Sequence, residues 1–237
     1  MPDIEVYLEI GKKRTFAGAL SWPGWCRSGK DEAAAVQALY DYGARYAYVL
    51  ATGVVRSTTN VPHPGVNLRP TPIEFQAPAD PSVFVVVERL EGDAATDFGA
   101  PGQIPSWDQA AMDEAEFLRS QKLLRASWQA FDAAANAALG KALRTGTRGG
   151  GRDLDRLTRH VEEAEAAYLS KLGGKLAHGM DTPQARQLIL ETMAASAHGE
   201  IPATGPRGGQ RWTARTFVRR AAWHLLDHAW ELEDRII

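Results

Sequence analysis

The apolar residues of this chain repeat with one period before residue 92 and with another after residue 105, and no other feature constrains the fold more. Ile4, Val6, Leu8 and Ile10 alternate with Asp3, Glu5, Tyr7 and Glu9. A period of two is that of a strand with one face buried and one in water. Gly11-Lys12-Lys13-Arg14 is a polar turn, so residues 15–20 are expected to return as the second strand of a hairpin. Trp25-Cys26-Arg27, after the break at Pro23-Gly24, supplies a short third strand. Asp31 is placed to cap a single helix over 31–50, with Val36, Leu39, Tyr40, Tyr46, Val49 and Leu50 along it. Residues 52–81, rich in Pro, Thr and Asn, read as an irregular insertion, and the valine-rich run 84–90 as a buried strand.

Residues 93–105 hold Gly99, Gly102, Pro101 and Pro105 and little apolar content, which marks a linker that few contacts should cross. The expected organisation is therefore a small α+β domain over 1–92, the linker, and an all-α four-helix bundle over 106–237. Ser106 is a cap for a first helix toward Gly140, carrying Phe117, Leu124, Trp128 and Phe131 at steps of three and four. A second helix spans about 153–172 with the stripe Leu154, Leu157, Val161, Ala164 and Tyr168. Asp181-Thr182-Pro183 starts a third, ending near Ala197, and a fourth covers about 212–235.

Glycine-rich breaks precede the second and fourth helices. Thr145 to Arg152 and Thr204 to Arg211 share the pattern T-G-x-R-G-G-x-R, and the same offset pairs Arg156 with Arg215. Two glycine-rich lead-ins of similar composition are the plainer account, and duplication of a helix pair is the other.

Composition bounds the function. A net charge of −2 gives no global attraction to nucleic acid or anionic membrane. No apolar run approaches the ~20 residues that span a bilayer, and Met-Pro-Asp-Ile-Glu carries no basic leader followed by an apolar run. The one cysteine, Cys26, excludes an intrachain disulfide and suits a reducing, cytoplasmic compartment; it reads as a buried small residue. The expected partner is a small-molecule substrate, with a homodimer as an allowed assembly.

Three of the six histidines stand out. His224 and His228 lie four apart on the fourth helix, so both rings emerge on one face, one turn apart, beside the apolar row Val218, Ala222, Leu225, Ala229 and Leu232. His160 sits between Leu157 and Val161 on the second helix. Two imidazoles from one helix and one from another can make a divalent-metal site with open coordination positions; histidines packed beside the core are the competing reading. His63, His178 and His198 fall in loops and read as solvated. Glu163, Asp227 and Glu231 are near the three ligands in sequence and are the carboxylates expected to orient a ligand ring or move a proton. Arg152 and Arg156 precede His160 while Arg211 and Arg215 precede His224, so these arginines could ring the site's mouth and hold an anionic cosubstrate; solvated charges on helix faces are the competing reading.

The stretch from Leu157 through His160 to Tyr168, with Trp223-His224-Leu-Leu-Asp227-His228-Ala-Trp-Glu-Leu-Glu-Asp-Arg235, resembles the DinB/YfiT-like superfamily over roughly residues 107–237. The resemblance implies a four-helix bundle holding zinc or nickel on His160, His224 and His228. It also implies thiol-dependent S-transfer or isomerisation with a low-molecular-weight thiol such as bacillithiol or mycothiol. The related bundle of sulfoxide synthases carries H-x-x-x-H-x-E; here Trp230 stands at that glutamate's place and Glu231 follows it, so that chemistry is not carried over. The run from Leu20 through Pro23-Gly24-Trp-Cys26 to Asp31 resembles the HicB antitoxin fold over about residues 3–50, which implies the hairpin, third strand and helix. Besides the enzyme, two other classes stand: a non-catalytic metal-binding sensor or partner-binding module, and an antitoxin-like regulator.

Overall fold

A computed structural model of the chain describes residues 3–53, 73–145 and 152–237. Its architecture is α+β: a four-stranded sheet followed by a layer of long helices. Strand β1 (Ile4–Ile10) pairs antiparallel with β2 (Thr15–Ala19) from Val6 opposite Ala19 to Ile10 opposite Thr15. Strand β3 (Cys26–Gly29) pairs antiparallel with β2, and β4 (Phe84–Glu91) lies parallel to β1 on its other side. The order is β3-β2-β1-β4.

The alternation in β1 does set its register, but the expected wet face is dry at Tyr7 and Glu9, while Glu5 is exposed. Tyr7 is 2% and Glu9 0% exposed. The buried Glu9 carboxylate accepts the amides of Gly102 and Gln103 and the hydroxyl of Thr96. The 93–105 segment thus folds onto the sheet, through the short helix α3 (Ala94–Phe98) with its Asp93–Thr96 capping box. Three donors at Glu9 explain how a carboxylate is buried with no counter-ion among the described residues. On β4 the departure is opposite: the strand alternates between partly buried and exposed, with Val85 39% and Val87 48% exposed. An outer strand has one neighbour and half a cover, so its valines report strand propensity rather than burial.

The single helix expected over 31–50 is two, α1 (Glu32–Asp41), capped by Asp31, and α2 (Gly43–Thr52). Tyr42, at φ −88°, ψ −3°, ends α1 and precedes α2. Its ring packs on Trp230 at 5.1 Å, which fixes the bend to the last helix of the chain. Below the sheet, Trp25 stacks on Tyr46 and donates its indole N–H to Leu39 O at 2.8 Å.

The first long helix, α4 (Glu114–Ala138), begins eight residues after Ser106, which starts only a short 3-10 turn. Asp113 is the cap, accepting the Glu116 amide. Helices α5 (Leu154–Leu172), capped by Asp153, and α6 (Thr182–Ala197), with the Asp181–Gln184 capping box, fall where their start signals place them. Helix α7 (Ala214–Arg235) is capped by Thr213. Each of the four packs on the other three.

Helix α7 is buried nearly all the way round, because the sheet covers one side and α4 and α5 the others. Trp223 meets Phe16 of β2 edge to face at 6.1 Å. Gly24, at φ +92° in the β2–β3 turn, lies so close that an added Cβ would come 3.0 Å from Leu226 and 3.1 Å from Ala222. The Arg219 guanidinium donates to Asp108, to Ala19 O at 2.9 Å and to Leu20 O at 2.8 Å. Arg27 reaches Asp227 at 3.0 Å, and Arg45 bonds Glu233. Contacts across the 93–105 segment are therefore extensive, against the expectation drawn from its composition. One apolar cluster includes Val6, Leu39, Leu124 and Leu225, and so runs from sheet to helices without a break. Among the described residues no helix is long and apolar enough to cross a membrane.

Candidate metal centre

Helices α5 and α7 run antiparallel. Arg152, just before α5, accepts a hydrogen bond at its carbonyl from Arg235 at the end of α7, while Trp212 before α7 donates its amide to Lys171 O at the end of α5. This pairing brings His160 opposite the turn between His224 and His228. Ring centroids stand 5.0 Å apart for His160 and His224, 5.1 Å for His160 and His228, and 4.6 Å for His224 and His228. One ligand nitrogen from each ring lies within 4.8 Å of the others. His224 and His228 are buried and His160 partly so, so the group opens to solvent on the α5 side.

The donor set fits a divalent ion. Nε2 of His160 and Nε2 of His224 are 3.2 Å apart. Two nitrogens on one ion at ~2.1 Å would stand about 3.4 Å apart in a tetrahedral arrangement and about 3.0 Å in an octahedral one. Nδ1 of His228 lies 2.8 Å from Glu231 Oε2. An ionised carboxylate only accepts, so the proton sits on Nδ1 and the Nε2 lone pair is left for a ligand bond. Burial, then the Arg152 charge and then His228, hold the His160 pKa below its ordinary 6.5, favouring the neutral ring that binds metal. Burial pushes Glu231 up, but its bond to His228 and the Arg235 charge outweigh this and hold it below the usual range.

Glu231 is itself fixed. Arg235 donates to its Oε1 at 2.9 Å and through its other two nitrogens to Arg144 O and Arg152 O. Of the other carboxylates expected here, Glu163 is exposed and close enough to His160 for its charge to favour the protonated ring. Asp227 is on the sheet side, engaged with Arg27.

The four arginines expected at the mouth separate. Arg152 is exposed, with its charge felt at His160. Arg156 is exposed and 3.5 Å from its neighbour Asp153. Arg211 donates to Pro202 O within its own loop. Arg215 is buried, tied to Trp107 O, Ala111 O and Glu116. Arg148, the glycines of the first T-G-x-R-G-G-x-R stretch, and His63 lie outside the described residues. His178 and His198 are exposed, as expected of loop histidines.

Sequence reasoning missed two neighbours of the centre and one buried carboxyl on α5. Tyr168, expected only as core stripe, puts its ring 5.8 Å from that of His224. Arg235, at i+4 from Glu231 and i+7 from His228, has the spacing of a helix-face relay, a signal present in the sequence. Glu165, one turn beyond Val161, is buried against Trp128, whose indole N–H it accepts. No family model matches the chain, and no curated protein or solved structure shows significant similarity to it, so the reading of this centre rests on its own geometry.

Proposed function

We propose that this chain is a divalent-metal-dependent enzyme of the DinB type. In this reading zinc or nickel sits on His160, His224 and His228, and a low-molecular-weight thiol is used in S-transfer to, or isomerisation of, a small electrophile. The observation that carries the proposal is the convergence of three imidazole nitrogens within 4.8 Å, from two antiparallel helices, on a side open to solvent. Three protein ligands leave positions for solvent or substrate, the pattern that separates catalytic from structural sites. When bound, the ion supplies Lewis-acid chemistry that favours the thiolate near neutral pH.

The chain's own residues do the rest. Glu231 holds the His228 ring in one tautomer, and Arg235 holds Glu231. Glu163, exposed beside His160, is placed to pass a thiol proton to solvent. Asp227, engaged with Arg27, seats α7 on the sheet rather than reacting.

The test is thiol consumption by the zinc- or nickel-loaded full chain, with mycothiol, bacillithiol and simple cysteine derivatives against a panel of electrophiles. The expected result is turnover that His224→Ala abolishes. A metal-loaded chain that consumes no thiol, or turnover that survives His224→Ala, contradicts the enzyme reading.

A further inference from the structure

Three of the four arginines of α7 have a carboxylate partner. Arg215 pairs with Glu116, Arg219 with Asp108 and Arg235 with Glu231. Arg220 is the exception. Among the described residues no carboxylate lies within 4.0 Å of it, and its guanidinium sits 5.0 Å from the Trp223 ring centroid and 5.9 Å from that of Tyr168. It is partly buried, and it favours the ionised form of the Tyr168 hydroxyl, whose pKa burial otherwise raises. A cation taken partly out of water without a counter-ion is costly, and the aromatic faces offset only part of that cost.

Its position gives the cost a use. Arg220 precedes His224 by four residues, so it lies one turn, ~6 Å, along the same face of α7 from a metal ligand. Tyr168 bridges the two, touching the His224 ring on one side and Arg220 on the other. Arg220 also borders a small pocket lined by Gln103, Asp108, Trp212, Arg219 and Trp223, which none of the three histidines lines. Lys171 adds a second positive charge, 4.6 Å from the Trp212 ring centroid.

We propose that Arg220 and Tyr168 form a carboxylate-holding subsite beside the metal centre. The ligand is then an organic acid whose metal-binding atom lies a few bonds from its carboxylate. The planar fork of Arg220 suits a carboxylate. This inference rests on the metal reading above, and its test keeps the two apart.

The full chain is loaded with cobalt(II), whose visible spectrum reports thiolate ligation, and titrated with 3-mercaptopropionate and with its neutral analogue 3-mercaptopropan-1-ol. The acid is expected to bind about tenfold or more tighter than the alcohol, the order of a charge-assisted fork. Arg220→Met should remove that preference and Arg220→Lys should keep part of it, with cobalt stoichiometry as the control for folding. Equal affinities in the wild-type chain, or a preference that survives Arg220→Met, overturns the subsite. Should cobalt not bind, the metal reading fails. The subsite is then read on the metal-free chain from the indole N–H resonances of Trp212 and Trp223 under 3-mercaptopropionate. Shifts that Arg220→Met abolishes support it, and absence of shifts overturns it.

Discussion

Nε2 of His160 and Nε2 of His224 face each other at 3.2 Å across the seam between α5 and α7. Two like groups that close either share a proton or share an ion. The doubly protonated ring is disfavoured at His160, because burial, Arg152 and His228 all lower its pKa from 6.5, so the pair is either a hydrogen bond between neutral rings or a shared ion. The sign follows: with folded-state protonation shifted to lower pH, the neutral ring's contribution is complete above 6.5 and is lost as pH falls through the lowered value.

Metal affinity should therefore fall as pH drops through and below that region, with more than one proton taken up per ion released. Chelator competition against pH measures the slope. In His160→Ala the slope should be shallower by up to about one proton. An unchanged slope removes His160 from the ligand set.

Glu231 holds the His228 ring from behind, and Arg235 holds Glu231. Loss of such an outer carboxylate typically costs 10–100-fold in metal affinity, so Glu231→Ala should weaken binding by about that factor. Glu231→Gln keeps an acceptor and should lose less. Affinity in Glu231→Ala equal to that of the wild type would show that the hydrogen bond does not tune the site.

A second pH dependence lies away from the histidines. Burial pushes Glu165 up to about 7, with the Trp128 N–H and the Arg186 charge opposing. A carboxyl with a raised folded pKa favours folding fully below its unfolded value of 4.5, and that contribution is lost as pH rises toward about 7. A shift of this size corresponds to about 3 kcal/mol at most. Glu165→Gln keeps an acceptor for Trp128 and cannot ionise. Its stability relative to the wild type, from denaturant titration, should rise between pH 5 and pH 8 and then level off. A difference that is flat with pH contradicts the buried, titrating carboxyl.

Much of the helical half was legible because its signals are local. Asp153 and Asp181 cap α5 and α6 as their sequences imply, and the four-residue spacing of His224 and His228 survives any packing. What failed depends on neighbours distant in sequence. Ser106 had the right chemistry for a cap, but Asp113 starts α4. The break at Tyr42 is fixed by Trp230, nearly two hundred residues away in the chain. Helix α7 carries Arg215, Arg219 and Arg235 and so reads as having a wet face. Each is instead buried with its own acceptors, which no periodicity in a single helix reveals. Glu9 is the same case in the sheet, polar in sequence and dry because Gly102 and Gln103 cap it.

The Arg219 bonds test how the two halves depend on each other. Arg219→Met leaves Asp108, which is 0% exposed, without its partner and frees the carbonyls of Ala19 and Leu20. Breaking a buried pair in this way costs about 3–5 kcal/mol, so thermal unfolding should begin several degrees lower. A fragment starting near Pro105 keeps Asp108 but loses the carbonyls of Ala19 and Leu20 and the Phe16 cover over Trp223. It should be markedly less stable than the full chain, by circular dichroism melting. An unchanged melting temperature for Arg219→Met, or an equally stable fragment, would show that the sheet is dispensable to the helices.

The central claim is that three histidines hold one ion, and bound metal per chain tests it most directly. After loading with zinc or nickel and exhaustive dialysis, elemental analysis should find about one ion per wild-type chain, as three convergent imidazoles imply. His224→Ala and His228→Ala should each lower that value at least as much as His160→Ala, because the helical pair supplies two adjacent ligands. The double variant of His224 and His228 should retain essentially none. Full occupancy in all three single variants would contradict the account.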